Sequence, residues 1–501
     1  MLQCGHRREL STTAEARKEP TLTSGGQPSD TVPDEVDSPE TTVPSGRRAS
    51  HVSRNLTQGS IPGNLLFLAW PQVLEGLFTV ADHLADLFWA GRLGYLILAG
   101  VGVAQHFTAL ALTGRQGMDT AMRAMIARAV GAGNPRLASH IAVQAFALSL
   151  VLFGVLTIAG IVSTEAMLRL LGVSEAVIGE ASVYMQVKFV AMAMAGVRLM
   201  SGASLQAAGD AITPMRASIV ERIFHVVVSP FLIFGWSGFP EMGIAGAAAA
   251  QVGANMLAAF INLFVLFRGT SRLHLTVRGY RTDFPLLWRL VRIGAPASVT
   301  GLERSISQLV LVRLVTPFGD YALAAYGLTR RLEMLANMGA NGVGMATGVI
   351  AAQNLGAGEP QRAKATAIWG LGYVALFKAL MAMLFFSLGS HLLGLFSGEP
   401  ELVDLAVMWL QIQVVGYVFM GVRQVLIQTI QVSGDTVPVM LTTLAGMWLI
   451  ELPLALVLPG LMGLGQFGIA WATVISLIFG AVVLQAYLLT GRWTRVKVIE
   501  A

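Results

Sequence analysis

The sequence has a single cysteine, Cys4, among its 501 residues. One thiol can form neither an intramolecular disulfide nor a cysteine metal cage, so both kinds of site are excluded. Charge is also scarce, because Asp, Glu, Lys and Arg make up 13% of the chain, about half the share of a soluble protein. A surface so poor in charge cannot mostly face water. The composition therefore indicates an integral membrane protein.

Residues 1–60 lack apolar segments and are rich in Ser, Thr, Pro and acidic residues. Such a segment cannot build a core, so we predict a disordered tail. No apolar run follows the basic residues near the start, so we expect no cleavable signal peptide, and the first span should direct insertion. The chain also lacks a Walker-type phosphate loop, which argues against ATP as the energy source.

Apolar runs long enough to cross a bilayer as helices recur after residue 60. They are too long and too uniformly apolar to be barrel strands, so we predict an all-α integral membrane protein. The twelve predicted spans lie near residues 64–90, 95–118, 141–163, 183–207, 215–236, 243–267, 290–312, 321–346, 365–390, 405–429, 439–459 and 467–490.

Arginine residues accumulate in alternate loops, and Lys and Arg beside a span tend to stay in the cytoplasm. They precede the first span, follow the second and sixth spans, and end the chain, whereas the loops after the third and ninth spans are acidic. Both termini are therefore predicted to be cytoplasmic. The same bias explains the formal net charge of +5 without a nucleic-acid partner.

The phrase "RAVGAGNPRLA" (128–138) returns 225 residues later as "QNLGAGEPQRA" (353–363). The same offset relates Arg198 to Arg423 and many other residues of the membrane region. This indicates two homologous six-helix lobes. Because six is even, the lobes enter the membrane the same way round and are related by a pseudo-two-fold axis along the membrane normal, as in many alternating-access transporters.

The repeat and the charge pattern together divide the chain into five predicted parts. These are a cytoplasmic tail at 1–60, an N-terminal lobe at 61–270, a linker at 271–285, a C-terminal lobe at 286–490 and a short cytoplasmic tail at 491–501.

Several phrases resemble the multidrug and toxic compound extrusion (MATE) family, especially its DinF-like branch. They include "DLFWAGRLGYLILAGVG" (86–102), "AAGDAITPM" (207–215), "FGDYALAAYGL" (318–328) and both "GAG" phrases, and they span roughly residues 60–490. The resemblance implies an antiporter of the prokaryotic cytoplasmic membrane. It would export organic, often cationic and amphiphilic, compounds in exchange for protons or sodium. We expect a monomer in the lipid bilayer that is not an enzyme and has no cofactor, no metal and no nucleic-acid partner.

Other functions stay open at this point. A lipid-linked oligosaccharide flippase of the same superfamily would share the two lobes, but it should carry more basic residues in its cleft. A membrane enzyme would need a compact catalytic or metal set, and His83, His106 and His225 lack recognisable ligand spacing. A channel is less consistent with the sequence, because two homologous lobes suit alternating access better.

Candidate coupling residues lie in the first predicted span, where Glu75, Thr79, Asp82 and Asp86 are spaced to share one helix face. Ionisable groups at membrane depth are costly and mark functional sites. A cluster of such acids would readily hold and release a proton. The alternative interpretation places Asp82 and Asp86 at the outer interface, without a role in coupling.

The fifth predicted span adds Glu221, His225 and Ser229 at intervals of four residues. Histidine titrates near physiological pH, which suits a proton carrier, although a neutral ring hydrogen-bonded to a neighbouring helix is equally consistent with the pattern. Arg222 should point elsewhere or pair with an acid inside the protein.

The resemblance assigns Asp86 to the family's coupling aspartate. Where the family commonly has Asn and Asp on the fifth helix and Thr on the sixth, this chain has His225, Ser229 and Gln251. An oxygen-rich sodium site is thereby weakened, and protons are favoured as the coupling ion.

In the second half, the counterparts of the acidic stripe are Thr300, Arg304, Ser307 and Leu311. Glu303 could pair with Arg304, and we keep both as secondary candidates. Arg330, Arg331 and Glu333 form another polar run, interpreted either as structural ion pairs or as substrate contacts. We therefore expect proton chemistry to be concentrated in the N-terminal lobe.

Overall fold

The computed structural model describes residues 54–93, 115–170, 175–461 and 463–498. These ranges contain long helices and no strand, which confirms the predicted all-α fold. The N-terminal lobe consists of α1 (Ile61–Leu93), α2 (115–131), α3 (Pro135–Leu170), α4 (Glu175–Ala207), α5 (Ile212–Phe234) and α6 (Ile244–Arg268). The C-terminal lobe consists of α7 (Phe284–Val315), α8 (Asp320–Gly356), α9 (Pro360–Gly394), α10 (Pro400–Val432), α11 (Val437–Leu461) and α12 (Phe467–Thr490).

The structure reproduces the internal repeat. Helices α3 and α9, α4 and α10, and α5 and α11 begin at residues 135 and 360, 175 and 400, and 212 and 437. Each pair therefore starts 225 residues apart. The predicted second span, 95–118, lies mostly outside the described residues.

Eight of the described helices are long and apolar enough to cross a membrane. Helices α1, α7 and α8 fall outside this group. All three line one polar cavity, α1 through Gly76 and Thr79, and α7 and α8 through charged side chains that include Glu303, Arg304 and Arg330.

Within the lobes, α4 packs against α3 and α6, whereas α10 packs against α8, α9 and α12. The lobes meet chiefly where α1 packs against α8. Helix α11 is wound as a π-helix over Gly446–Glu451. Such segments interrupt the regular helix and are frequent at functional sites, and Glu451 does line the cavity.

The lobes also touch where α2 and α8 end, on the side predicted to be cytoplasmic. A Cβ atom on Gly131 would lie 2.0 Å from the carbonyl oxygen of Gln353, and one on Gly356 would lie 2.1 Å from that of Arg128. The Gln353 amide donates to the carbonyl of Ala207 (2.7 Å), and Arg128 donates to the carbonyl of Ser433 (3.0 Å). Equivalent residues of the two halves thus form a reciprocal contact, which we call the α2–α8 crossing.

The two glycines of each "GAG" phrase have different functions. The positive φ angles that permit the tight turns belong to Gly133 (+72°) and Gly358 (+76°). Gly131 and Gly356 instead permit close approach of two backbones. Both phrases therefore combine a contact glycine with a turn glycine.

Residues 54–60, which were predicted to belong to the disordered tail, are packed against the lobes. Leu56 is fully buried, and the Arg54 N–H donates to the carbonyl of Gly209 (3.3 Å). Arg362 of the C-terminal lobe donates to the carbonyl of Gly59 (2.7 Å). This short segment therefore contacts both lobes. The predicted tail residues 1–53 lie outside the described residues.

Asp210, between α4 and α5, should make stability depend on pH. Its buried carboxylate accepts hydrogen bonds from the Thr213 N–H (3.0 Å) and hydroxyl (2.7 Å), yet burial raises its pKa to about 6. The folded state then retains a proton that the unfolded state loses, so stability should fall by about 3 kcal/mol as the pH rises from about 4 to 6. In thermal unfolding of purified protein, Asp210→Asn should remove this slope.

Asp283→Asn provides the control for this prediction. A hydrogen bond from the Leu286 N–H, aided by His140, lowers the pKa of Asp283. Its contribution to stability therefore rises with pH, opposite in sign to that of Asp210. An unchanged slope in Asp210→Asn would show that another group is responsible.

Candidate functional site

A buried charged cluster joins α1 to α5 in the N-terminal lobe. Asp82 of α1 is 1% exposed, and its Oδ1 lies 2.7 Å from Nδ1 of His225 on α5. Its other oxygen, Oδ2, accepts a hydrogen bond from Arg222. Both carboxylate oxygens therefore have a partner on the same neighbouring helix. This pairing agrees with the expectation that Arg222 meets an acid inside the protein.

A second group of charges adjoins the first. Arg198 of α4 lies 3.2 Å from Oε2 of Glu221 and 3.8 Å from Oε1 of Glu75. Ser218 also donates to Oε1 of Glu75 (2.9 Å), and Arg222 lies 3.9 Å from Glu221. Three carboxylates, two guanidinium groups and one imidazole thus form a continuous network, which we call the N-lobe cluster.

Helical spacing explains how these side chains meet. Ser218, Glu221, Arg222 and His225 recur at three- and four-residue intervals, so they lie along one stripe of α5. This stripe faces α1 and α4. Arg198 is oriented by Asn255 of α6, whose Oδ1 accepts from Nε of the arginine (3.1 Å). Four helices of the lobe therefore contribute to one ionic network.

The predicted acidic stripe of α1 is divided between two environments. Glu75 and Asp82 enter the N-lobe cluster, whereas Thr79 lines the cavity and donates to the Glu75 carbonyl (2.8 Å). Asp86 lies in α1, but its side chain is outside the described part of the structure. Its assignment as a coupling residue stays a prediction.

Two secondary candidates do not contact the N-lobe cluster through their side chains. Ser229 donates to the carbonyl of His225 in its own helix (2.6 Å). Gln251 accepts a hydrogen bond from Lys188 of α4. Neither side chain therefore joins the N-lobe cluster, although family resemblance implied oxygen ligands at both positions.

A cavity of about 640 Å³ lies between α1 and the C-terminal lobe. Its walls come from α1, α7, α8, α10, α11 and α12, and they combine charged and amide side chains with several methionines. The volume is typical of a site for a drug-sized molecule. The charged lining residues are Glu303, Arg304, Arg330, Arg331, Glu333, Arg423 and Glu451.

The cavity charges are only partly paired. Arg330 and Glu333 form an ion pair within α8 (2.8 Å), and Glu451 accepts a hydrogen bond from Thr473 (2.9 Å). Glu303 and Arg304 both line the cavity, but no ion pair joins them in the described part of the chain. The C-terminal lobe thus also carries charged groups inside the protein. The expectation that proton chemistry is concentrated in the N-terminal lobe stays a prediction.

Sequence reasoning assigned no site role to Arg198, Lys378 or Glu451. The repeat held a usable signal for Arg198, because an arginine recurs at membrane depth in each half, as Arg198 and Arg423. Lys378 is fully buried and donates to Asn337 (2.7 Å). For Lys378 and Glu451, the available signal was a single charged residue inside an apolar run.

Comparisons with known proteins agree with this architecture. A profile of the MatE family matches residues 71–231 and 296–457, two segments that also begin 225 residues apart. The probable multidrug resistance protein YoeA of Bacillus subtilis is 29% identical over 426 residues, covering 83% of this chain and 92% of that protein. An FAD transporter of Shewanella oneidensis is 24% identical over 394 residues, covering 78% of this chain and 86% of that protein.

Solved structures show the same fold. A MATE transporter crystallised with MaL6 superposes with a TM-score of 0.82 at 20% identity, covering 88% of this chain and 99% of the other. The family profile matches well over half of the chain, in both lobes. The chain therefore belongs to the MATE family of multi-pass membrane transporters.

Proposed function

We propose that this protein is a secondary active exporter that exchanges small organic compounds for protons by alternating access. Its similarity to proteins named for multidrug resistance favours small-molecule export over the flippase alternative. The observation that carries the proton assignment is the buried contact between Asp82 and His225. Positive residues flanking the spans support an orientation with both termini in the cytoplasm.

The chemistry of the N-lobe cluster favours a proton over sodium. Within the directly contacting set, three carboxylates face two guanidinium groups and one imidazole. Protonation of His225 therefore balances the charges of that set, where uncompensated charge is costly. A hard cation needs several free oxygen ligands, but Arg222 and His225 occupy both oxygens of Asp82. Ser218 occupies one oxygen of Glu75, and Arg198 lies beside Glu221.

Helix α1 provides a route from the proton site to the substrate site. Asp82 and Glu75 contact α5 and α4, while Gly76 and Thr79 of the same helix line the cavity. A Cβ atom on Gly76 would lie 3.2 Å from Met338 of α8, so α1 fits closely against the other lobe. A shift of α1 on proton uptake would therefore change both the cavity and the interface between lobes.

The α2–α8 crossing joins the lobes on the side proposed to face the cytoplasm, which supports an arrangement closed on that side. Relatives named as a multidrug resistance protein and as an FAD transporter differ in the compounds they carry. Family membership thus leaves the charge of the substrate open.

Everted membrane vesicles provide the test. An acid interior should drive accumulation of a fluorescent substrate, chosen from a panel containing ethidium and naphthalene-2-sulfonate. Accumulation should collapse with a protonophore and should not require sodium. Vesicles from the same host without the transporter are the control. Accumulation that follows an imposed sodium gradient but not a pH gradient would overturn the coupling assignment.

A further inference from the structure

The internal repeat shows which partners Arg423 has lost. In the N-terminal lobe, Arg198 contacts Glu75, Glu221 and Asn255. The residues 225 positions later are Thr300, Gly446 and Gly480, so no carboxylate or amide stands where Arg423 would need one. The arginine is preserved, but each of the three groups that pair with its counterpart is absent.

The structure agrees with this substitution pattern. Arg423 lines the cavity and forms no ion pair within 4.0 Å in the described part of the chain, and its buried Nε has no hydrogen-bond partner. Gly480 leaves room for its stem, because a Cβ atom there would lie 2.8 Å from Nε. Glu303 and Glu451 act on this guanidinium group only from beyond 4.0 Å. A half-buried guanidinium group without a direct acidic partner at a cavity wall favours an external anion.

Neighbouring residues strengthen the positive character of this wall. Arg304 and Arg331 line the same cavity and likewise have no ion-pair partner among the described residues. Behind the wall, Lys378 is fully buried with its ammonium group on Asn337 (2.7 Å) and 5.4 Å from the ring of Tyr417. Arg330 and Glu333 neutralise each other, so Glu303 and Glu451 are the lining acids left to balance the other positive groups. These two acids offset only part of the positive charge of this wall.

The other lining residues indicate the chemistry of the part of the ligand that does not contact Arg423. Met334, Met338, Met420 and Met447 line the cavity, and methionine adapts to varied apolar shapes. We infer that the C-lobe cavity binds amphiphilic organic anions, with an oxyanion group on Arg423 and an apolar body against the methionines. This inference rests on the proposed export function and specifies its substrate class, in contrast to the cations implied by family resemblance.

The decisive variant restores the lost partner. Gly446 occupies the position equivalent to Glu221, and a Cβ atom there meets only Ser476 at an ordinary 3.4 Å and Phe479 at 3.9 Å. Gly446→Glu should therefore place a carboxylate beside Arg423 and compete with the ligand. Gly446→Gln is the matched control, because it adds the same bulk without the charge.

Binding is measured by isothermal titration calorimetry on purified full-length protein, without any gradient. The probes are naphthalene-2-sulfonate and its cationic analogue, 2-naphthyltrimethylammonium. The wild type should bind the anion more tightly. Gly446→Glu and Arg423→Gln should each weaken anion binding by roughly 10- to 100-fold, the range for a hydrogen bond to a charged group. Gly446→Gln should weaken it far less.

Inorganic sulfate distinguishes an amphiphile site from a simple oxyanion site, and it should compete only weakly because it has no apolar body. Preferential binding of the cation, equal loss in Gly446→Gln and Gly446→Glu, or equal competition by sulfate would each overturn the inference. Since this assay needs no gradient, Arg423-dependent anion binding without pH-driven transport would refute the export proposal alone.

Discussion

Replacing Asp82 with asparagine is expected to reduce pH-driven substrate accumulation to the level of vesicles without transporter. Asparagine keeps the shape of the side chain but cannot carry the charge that holds His225 and Arg222. Among the described residues, Arg222 would then retain Glu221 as its ion-pair partner, at 3.9 Å. Removing one member of a buried ion pair also destabilises a protein by about 3–5 kcal/mol. The yield of monodisperse protein must therefore be measured together with transport.

Ser229→Ala is the matched control for this variant. Ser229 lies one helical turn beyond His225 on the same face of α5, but its hydroxyl bonds only to its own helix. Transport by Ser229→Ala should stay near wild type. Asp86→Asn, tested in parallel, asks whether the aspartate identified by family resemblance acts with Asp82. Full activity of Asp82→Asn would remove the N-lobe cluster from the coupling mechanism.

Replacing Gly131 or Gly356 with valine should hold the lobes apart at the α2–α8 crossing. A Cβ atom at either position would lie about 2 Å from a backbone carbonyl oxygen of the opposite lobe. Backbone cannot move aside as a flexible side chain can, so closure on the proposed cytoplasmic side should fail. Transport should drop at least tenfold, since alternating access requires both closed states.

The separation can be measured by pulsed electron spin resonance. Arg136 and Gln361, exposed equivalents at the starts of α3 and α9, can carry spin labels as cysteines once Cys4 is replaced by serine. Gly131→Val should lengthen this distance. Gly372→Val is the control, because a Cβ atom there meets nothing within 4 Å. An unchanged distance in Gly131→Val would exclude a steric role for the crossing.

Much of the fold followed from periodicity and composition. The apolar runs located the helices, because crossing a bilayer requires long apolar segments with internal hydrogen bonds. The structure extends several helices beyond the apolar run, as at α9, predicted at 365–390 and observed at Pro360–Gly394. The N-terminal extension of α9 is the polar turn 360–364, which hydropathy does not register.

The 225-residue offset was the most informative signal in the sequence. It identified equivalent residues of the two halves, and some of these contact the opposite half in the structure. It placed Gly131 with Gly356 and Arg198 with Arg423. The pairing of Asp82 with Arg222 and His225 could not be derived in the same way. It depends on how α1 and α5 are rotated against each other, which packing of all the helices determines.

The cavity shows the limit of family resemblance. Resemblance implied cationic substrates, whereas the lining includes Arg423, whose N-lobe counterpart Arg198 contacts two acids that are not repeated at the equivalent positions of the C-terminal lobe. The loss of these acids changes few residues and leaves the fold unchanged. It becomes visible only when equivalent positions of the two halves are compared in three dimensions.

The central claim is that Asp82 and His225 carry the proton exchanged for substrate. Its most direct test is proton release from purified protein in weakly buffered detergent solution, followed with a pH indicator. The added ligand is the panel compound transported in vesicles. Substrate should release protons from the wild type and from Ser229→Ala, with or without sodium, but not from folded Asp82→Asn. Undiminished release from Asp82→Asn would contradict the assignment.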